Sequence, residues 1–160
     1  MTTMQELSTD LRAFVNMYKW QRIEPVPFAP MSKPLSEARV GLVVMACMTM
    51  PDQEPFDVGQ PDNDPSIRIV PSDTDPQTLV NTYRDQGFDH AGLAEDANLL
   101  IPLDRLREMA AQGEIGELSP RVISICGHLP HPKALMDSTA PAIARLFLDD
   151  DADAVLLVPA

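Results

Sequence analysis

Apolar residues recur along this chain with two different periods. Leu103, Leu106 and Ala110 fall at helical spacing and share one face, which predicts a helix over 102–112. Pro102 sits where a first-turn proline is tolerated, and Asp104 adds negative charge to that turn. Gly113 suits a left-handed cap, and Gly116 marks a second tight turn. A second amphipathic helix is predicted over 4–20, with Met4, Leu7, Leu11, Phe14, Val15 and Tyr18 on its apolar side. Ser8 or Thr9 would cap a shorter version of it. The run RVGLVVMAC, 39–47, is almost continuously apolar and predicts a parallel strand covered on both faces. RVISIC, 121–126, and the apolar part of DADAVLLVPA read as further core strands. SIRIV, 66–70, alternates and predicts a short strand.

Asp75, Pro76 and Gly87 enclose one more predicted helix, and residues 133–150 form another that Pro141 must kink or break. Residues 48–65 read as one long loop. The alternation of strands and helices predicts an α/β domain over 37–160, a three-layer, mostly parallel, Rossmann-like sheet that is incomplete or completed by a partner chain. Residues 1–36 form an amino-terminal helix and a connector with prolines at 25, 27, 30 and 34.

Charge narrows the function. The net charge of −12 argues against nucleic-acid backbones and anionic membrane surfaces as partners. The run Asp149-Asp150-Asp151 reads as the solvated end of a helix. No apolar run is long enough to span a bilayer, and the amino terminus has no signal-peptide pattern. Two cysteines in apolar runs read as free thiols of a cytoplasmic protein, with no disulfide expected.

Ligands of open parallel sheets bind at the carboxyl ends of strands. That rule gathers Thr49, Arg68, Asp89, Asp96, Asn98, His128 and His131 as candidates around a small molecule. Arg68 would suit a substrate carboxylate, because its fork pairs both oxygens. Pairing of Arg68 with Asp64 or Asp73 is the structural alternative. Cys126, His128 and His131 have the spacing C-x-H-x-x-H and could converge on a metal, although no second ligand cluster accompanies them. Cys47 lies in an apolar run that would raise a thiol pKa, so inert packing is the simpler reading. No cofactor is indicated.

Several motifs in register resemble one family. They are Pro55-Phe56-Asp57, the segment Asp64-Pro65-Ser66-Ile67-Arg68-Ile69-Val70-Pro71, then Asp89, Asp96-Ala97-Asn98 and Pro102-Leu103-Asp104-Arg105-Leu106. Gly113-Glu114-Ile115-Gly116, Gly127 and Ala154-Val155-Leu156-Leu157-Val158-Pro159 follow in order. This pattern resembles the selenoprotein B family of glycine, sarcosine, betaine and D-proline reductases, over about 35–160. The resemblance implies reductive cleavage of a C–N bond by a selenocysteine or cysteine that attacks the α-carbon. It implies a substrate-binding role for Asp89, Asp96, Asn98 and Gly127. The family's reactive residue follows the strand resembling DAVLLVP, a position this sequence does not supply, and Tyr83 stands where the family tends to have histidine. The resemblance therefore implies a second subunit that carries the redox Cys or Sec.

Three functions compete at this point. The chain is a reductase subunit acting on a small amino-acid-like or amine substrate, a catalytically inactive binding or assembly protein of the same fold, or a small metal-dependent enzyme. In each case the protein is expected not to be a monomer. Its buried surface would come from the helix face of 4–18 and the strand edge at 155–158, in a heteromer, a homo-oligomer or both.

Overall fold

Strand β1, Arg39–Val44, is buried on both faces, which is why its sequence shows no alternation. Val40, Leu42 and Val44 point into one cluster, and Val43 into another. Parallel neighbours flank it: β5, Glu117–Ser124, on one side and β6, Ala154–Val158, on the other. Strand β3, Arg68–Pro71, adds antiparallel to β5, giving the order β3-β5-β1-β6. A separate two-stranded ribbon pairs β2, Met48–Thr49, with β4, Val80–Asn81. The computed structural model describes residues 4–18, 24–59, 64–82, 90–127, 129 and 132–159.

Helices cover both faces of the sheet. Helix α2, His90–Glu95, and α3, Leu103–Ala111, bring Leu93, Leu103 and Leu106 onto Val40, Leu42 and Val44. Helix α4, Ala140–Asp149, brings Ile143 and Phe147 onto Val43 and Ile123. Gly41 lies under the Phe147 ring, where a Cβ would stand 2.5 Å from a ring carbon. Pro141 is followed by regular helix and preceded by a π turn, Leu135–Thr139, so the predicted break falls just ahead of the proline. Gly113 takes φ +73° and closes α3 as expected, with Gly113 N–H donating to the Ala110 carbonyl.

The chain divides into two compact units, Met1–Pro30 and Met31–Ala160. In the first, α1 spans Thr9–Met17, shorter than predicted, with Ser8 as its cap: its Oγ accepts from Leu11 N–H at 3.3 Å. Leu11, Phe14 and Tyr18 are all exposed on this helix.

Four expectations need correction. The helix expected after Asp75 is a single 3-10 turn, Pro76–Thr78, followed by β4. Asp75 does cap that turn, but Val80 and Asn81 then pair with Thr49 and Met48, so a distant partner overrides the local signal. Tyr83 and Gly87, the rest of that prediction, lie outside the described residues. Strand β5 starts four residues earlier than read, because a bulge between the pairs Val40–Leu118 and Leu42–Val122 absorbs Pro120.

Asp150 is not a solvated helix end. It is buried, its Oδ1 pairs with Arg121, and its carbonyl accepts from Arg39. Finally, Cys47 and Cys126 are joined in a disulfide, not free. Their Cα atoms are 4.5 Å apart because they extend adjacent parallel strands, a proximity that only the tertiary fold creates.

Candidate functional site

Three motif segments build one enclosure beyond the carboxyl ends of β1 and β5. Arg68, the first residue of β3, reaches back over the loop that precedes it. Its Nε donates to the Glu54 carbonyl at 2.6 Å. Its Nη1 donates to Ser66 Oγ and the Ile67 carbonyl, and its Nη2 to the Pro55 carbonyl, with Asp64 Oδ2 3.5 Å away. Four hydrogen bonds and one ion pair thus hold the guanidinium. The plane of the group lies over the Phe56 ring, 4.4 Å from its centroid. Asp64 accepts from the N–H groups of Asp57 and Ser66. The Pro-Phe-Asp and Asp-x-Ser-x-Arg segments thus form a single clasped loop, and Phe56 is its inner face. That ring packs on Cys47 and Cys126, with Val58 beside it.

Burial pushes the Asp64 carboxyl up, but hydrogen bonds from Ser66 and Asp57 and the Arg68 charge outweigh it and hold the group below its ordinary value of 3.8. A carboxyl depressed on folding stabilises the native state above its unfolded value, and that stability is lost as pH falls through the folded one. Asp64→Asn should therefore lower the urea midpoint at pH 7. The gap between variant and wild type should narrow as pH falls below 3.8, and a constant gap would show that the Asp64 charge contributes nothing.

A second constellation joins the Asp96-x-Asn98 and Asp104 motifs. Asp96 caps the turn 97–99, accepting from Asn98 N–H at 2.9 Å and from its Nδ2 at 2.8 Å. Asn98 in turn caps α3: its Oδ1 accepts from Asp104 N–H, and its Nδ2 donates to Asp104 Oδ2. The bonds from Asn98 hold the Asp96 carboxyl below its usual range. Arg107 completes the network. It pairs with Asp104 at 2.7 Å and donates to the carbonyls of Ser72 and Thr74. The pattern "Asp-x-Asn … Asp" is therefore an architectural joint between α3 and the turn after β3.

Between the turn and strand of 76–81 and helix α2 lies a cleft of about 290 Å³. Met48 forms its floor, just past the end of β1, and Gln77, Asn81, His90 and Ala94 line its walls. Gln77 is held in place: it accepts from Ala97 N–H and donates to the Ala94 carbonyl. His90 is one of the polar groups that the sequence crowds ahead of α3, whereas Gln77, Asn81 and Ala94 carry no such signal, the first two lying in a predicted helix that does not form.

The sequence-derived candidates divide accordingly. Thr49 is buried on β2, one residue beyond the cleft floor, with Oγ1 3.5 Å from the Val80 carbonyl. Arg68 sits in the clasp, and Asp96 and Asn98 in the joint. Gly127 follows Cys126 directly. Asp89, His128 and His131 lie outside the described residues. The Cys126 sulfur is bonded to Cys47, and a disulfide sulfur is not a thiolate ligand. Among the described residues no three His, Cys, Asp or Glu side chains gather as a metal site. No helix among them is long and apolar enough to cross a membrane.

Comparison with known proteins converges on one group. The chain is similar to D-proline reductase subunit gamma of Acetoanaerobium sticklandii, with 31% identity over 136 residues, 84% of this chain and 54% of that protein. It thus spans about half the length of the curated relative it matches. No solved structure matches it. Residues 6–160 match the family glycine/sarcosine/betaine reductase selenoprotein B. With the motif residues forming one clasp and one joint around the strand ends, and the match running through both, the chain belongs to the glycine/sarcosine/betaine reductase selenoprotein B family.

Proposed function

We propose that this chain is a substrate-binding subunit of a cytoplasmic reductase complex that cleaves a C–N or C–S bond in a small amino acid or amine. The observation that carries the reading is the match to a D-proline reductase subunit through 84% of the chain, clasp and joint included. The cleft beyond β1 is at the small end of ligand sites, which run about 300–1,000 Å³. It suits a substrate of proline or glycine size. In this reading Thr49, Asp89, Gly127 and His128, the residues the sequence offers, take part in holding the substrate. Asp96, Asn98 and Arg68 fix the walls and the loop.

In this reading a partner subunit supplies the attacking thiolate or selenolate, and the disulfide-bonded Cys47 and Cys126 do not take that role. That group attacks the α-carbon, a chalcogen–carbon bond forms, the C–N bond breaks, and the nitrogen leaves with a proton. Either a partner subunit or a second copy of this chain docks along β6, and the apolar side of α1 offers a further contact.

The cystine also supports a second reading, an inactive binding protein of the same fold. Calorimetry with D-proline, glycine, sarcosine and betaine, followed by turnover assays with and without the thiol- or selenol-bearing subunit, separates the two. Saturable binding with partner-dependent turnover supports the first, and binding without turnover supports the second. Ala94→Trp, placed on an exposed helix position and filling the cleft, should weaken binding at least tenfold while the protein stays folded. Unchanged affinity would place the substrate elsewhere.

A further inference from the structure

The disulfide stands apart from the two main cores. Cys47, Cys126 and Phe56 form their own small cluster, with the half-buried Val58 packed against it. Neither sulfur is needed to hold β1 against β5. Ile125 N–H donates to the Val44 carbonyl at 2.9 Å, and Cys47 N–H to the Ile125 carbonyl at 3.0 Å. Beyond the pair, Met48 N–H is held by Ser124 Oγ, and the Cys47 carbonyl accepts from both the N–H and the hydroxyl of Thr82. Breaking the S–S bond therefore leaves the strand ends hydrogen-bonded.

The pair is nevertheless placed where a link matters. Cys47 precedes Met48, the cleft floor, and Cys126 precedes Gly127, where the loop after β5 begins. Cys47 also carries φ +49°, a left-handed conformation that a non-glycine residue adopts at a cost and that clusters at functional positions. Access is controlled by one element. Cys47 is 1% exposed, Cys126 0%, and Phe56 of the clasped loop covers both. Most polar contacts of Arg68 stay inside that loop, at Glu54, Pro55, Asp64, Ser66 and Ile67. Among the described residues, the contacts that tie this loop to the rest of the fold are few, chiefly Thr139 Oγ1 donating to the Pro65 carbonyl and Ile67 against the second core, so Phe56 can move off the sulfurs at small cost.

We propose that Cys47–Cys126 is a redox-active site that undergoes thiol–disulfide exchange with an incoming dithiol when the Phe56 loop lifts. One thiolate of the dithiol attacks a sulfur of the pair and forms a mixed disulfide, releasing the other cysteine as a thiolate. The second thiol of the reductant then displaces the remaining cysteine. Two electrons and two protons pass to the pair, leaving two thiols here and a disulfide in the reductant. The oxidised state adds a covalent tie between the residues preceding Met48 and Gly127, and the reduced state leaves hydrogen bonds alone to hold them.

The test uses the full chain in graded ratios of reduced to oxidised dithiothreitol, trapped with N-ethylmaleimide and weighed by mass spectrometry. The expected result is no trapped thiol at the oxidising end and two at the reducing end, with the circular dichroism of the folded protein unchanged throughout. Phe56→Ala should speed reduction about tenfold, since access limits exchange at buried sulfurs. Val58→Ala, a smaller truncation in the same cover, should speed it less and guards against a Phe56 variant that does not fold. Thiols that appear only on global unfolding would overturn the proposal, as would a pair that never oxidises. Wild-type reduction rates in both variants would overturn the role of the loop.

Discussion

Gly116→Ala should cost about 3 kcal/mol, the upper range for forcing extra volume into a packed site. A Cβ there would stand 2.6 Å from the Glu37 carbonyl carbon and 2.8 Å from the Ala38 oxygen. Both are backbone atoms and cannot rotate away. Gly116 N–H donates to the Leu35 and Ala38 carbonyls, so the residue fixes where β1 and β5 begin to pair. Gly113, the other glycine of the same motif, has open space where a Cβ would go and only its positive φ to protect. Gly113→Ala should cost about 1 kcal/mol. Urea midpoints of the two variants check this. Equal losses would mean that backbone contact at Gly116 is not what the motif preserves.

Arg107→Met should be nearly as damaging, at about 2–4 kcal/mol, because charge-assisted hydrogen bonds contribute about 1.5–3 kcal/mol each and act here as a group. The substitution keeps the stem and removes the fork that holds Ser72, Thr74 and Asp104. For a chain of this size that is a fall of roughly 6–12 °C in melting temperature. Arg107→Lys should recover less than half, since one ammonium cannot reproduce the planar fork. Full recovery by lysine would show that charge alone joins α3 to the turn after β3.

The two variants also show what could be read from sequence. Gly113 announced itself as a helix terminus because its requirement is local. Gly116 was read as a turn, whereas its constraint is the backbone of residues 37–38, nearly eighty positions away. The apolar run of β1 and the face of α3 were legible because burial writes itself into periodicity. The ribbon of β2 and β4 was not, since two residues a side leave no period to detect. Arg107 was placed on a helical face, and its work with the carbonyls of Ser72 and Thr74 is a tertiary fact. The motif residues Arg68, Asp96 and Asn98 read as ligand contacts, because a polar side chain in a pattern carries no mark of whether it faces a substrate or a neighbouring carbonyl; only the alternative pairing of Arg68 with Asp64 points to the clasp. The disulfide was missed for the same reason: pairing needs 4.5 Å between Cα atoms, and sequence separation of 79 gives no hint of it.

Strand β6 closes one side of the sheet with Ala154-Val155-Leu156-Leu157-Val158 and no charged residue. Val155 and Leu156 are each 41% exposed, and Leu157 is 67% exposed. An uncharged, strongly β-forming segment with an open hydrogen-bonding edge is the pattern from which cross-β stacking starts. Natural edges are usually guarded by a lysine, a proline or a bulge, and here the nearest such guard is Pro159, beyond the last paired residue. The segment that can extend the sheet in an assembly thereby also sets the concentration at which the isolated chain stays dispersed.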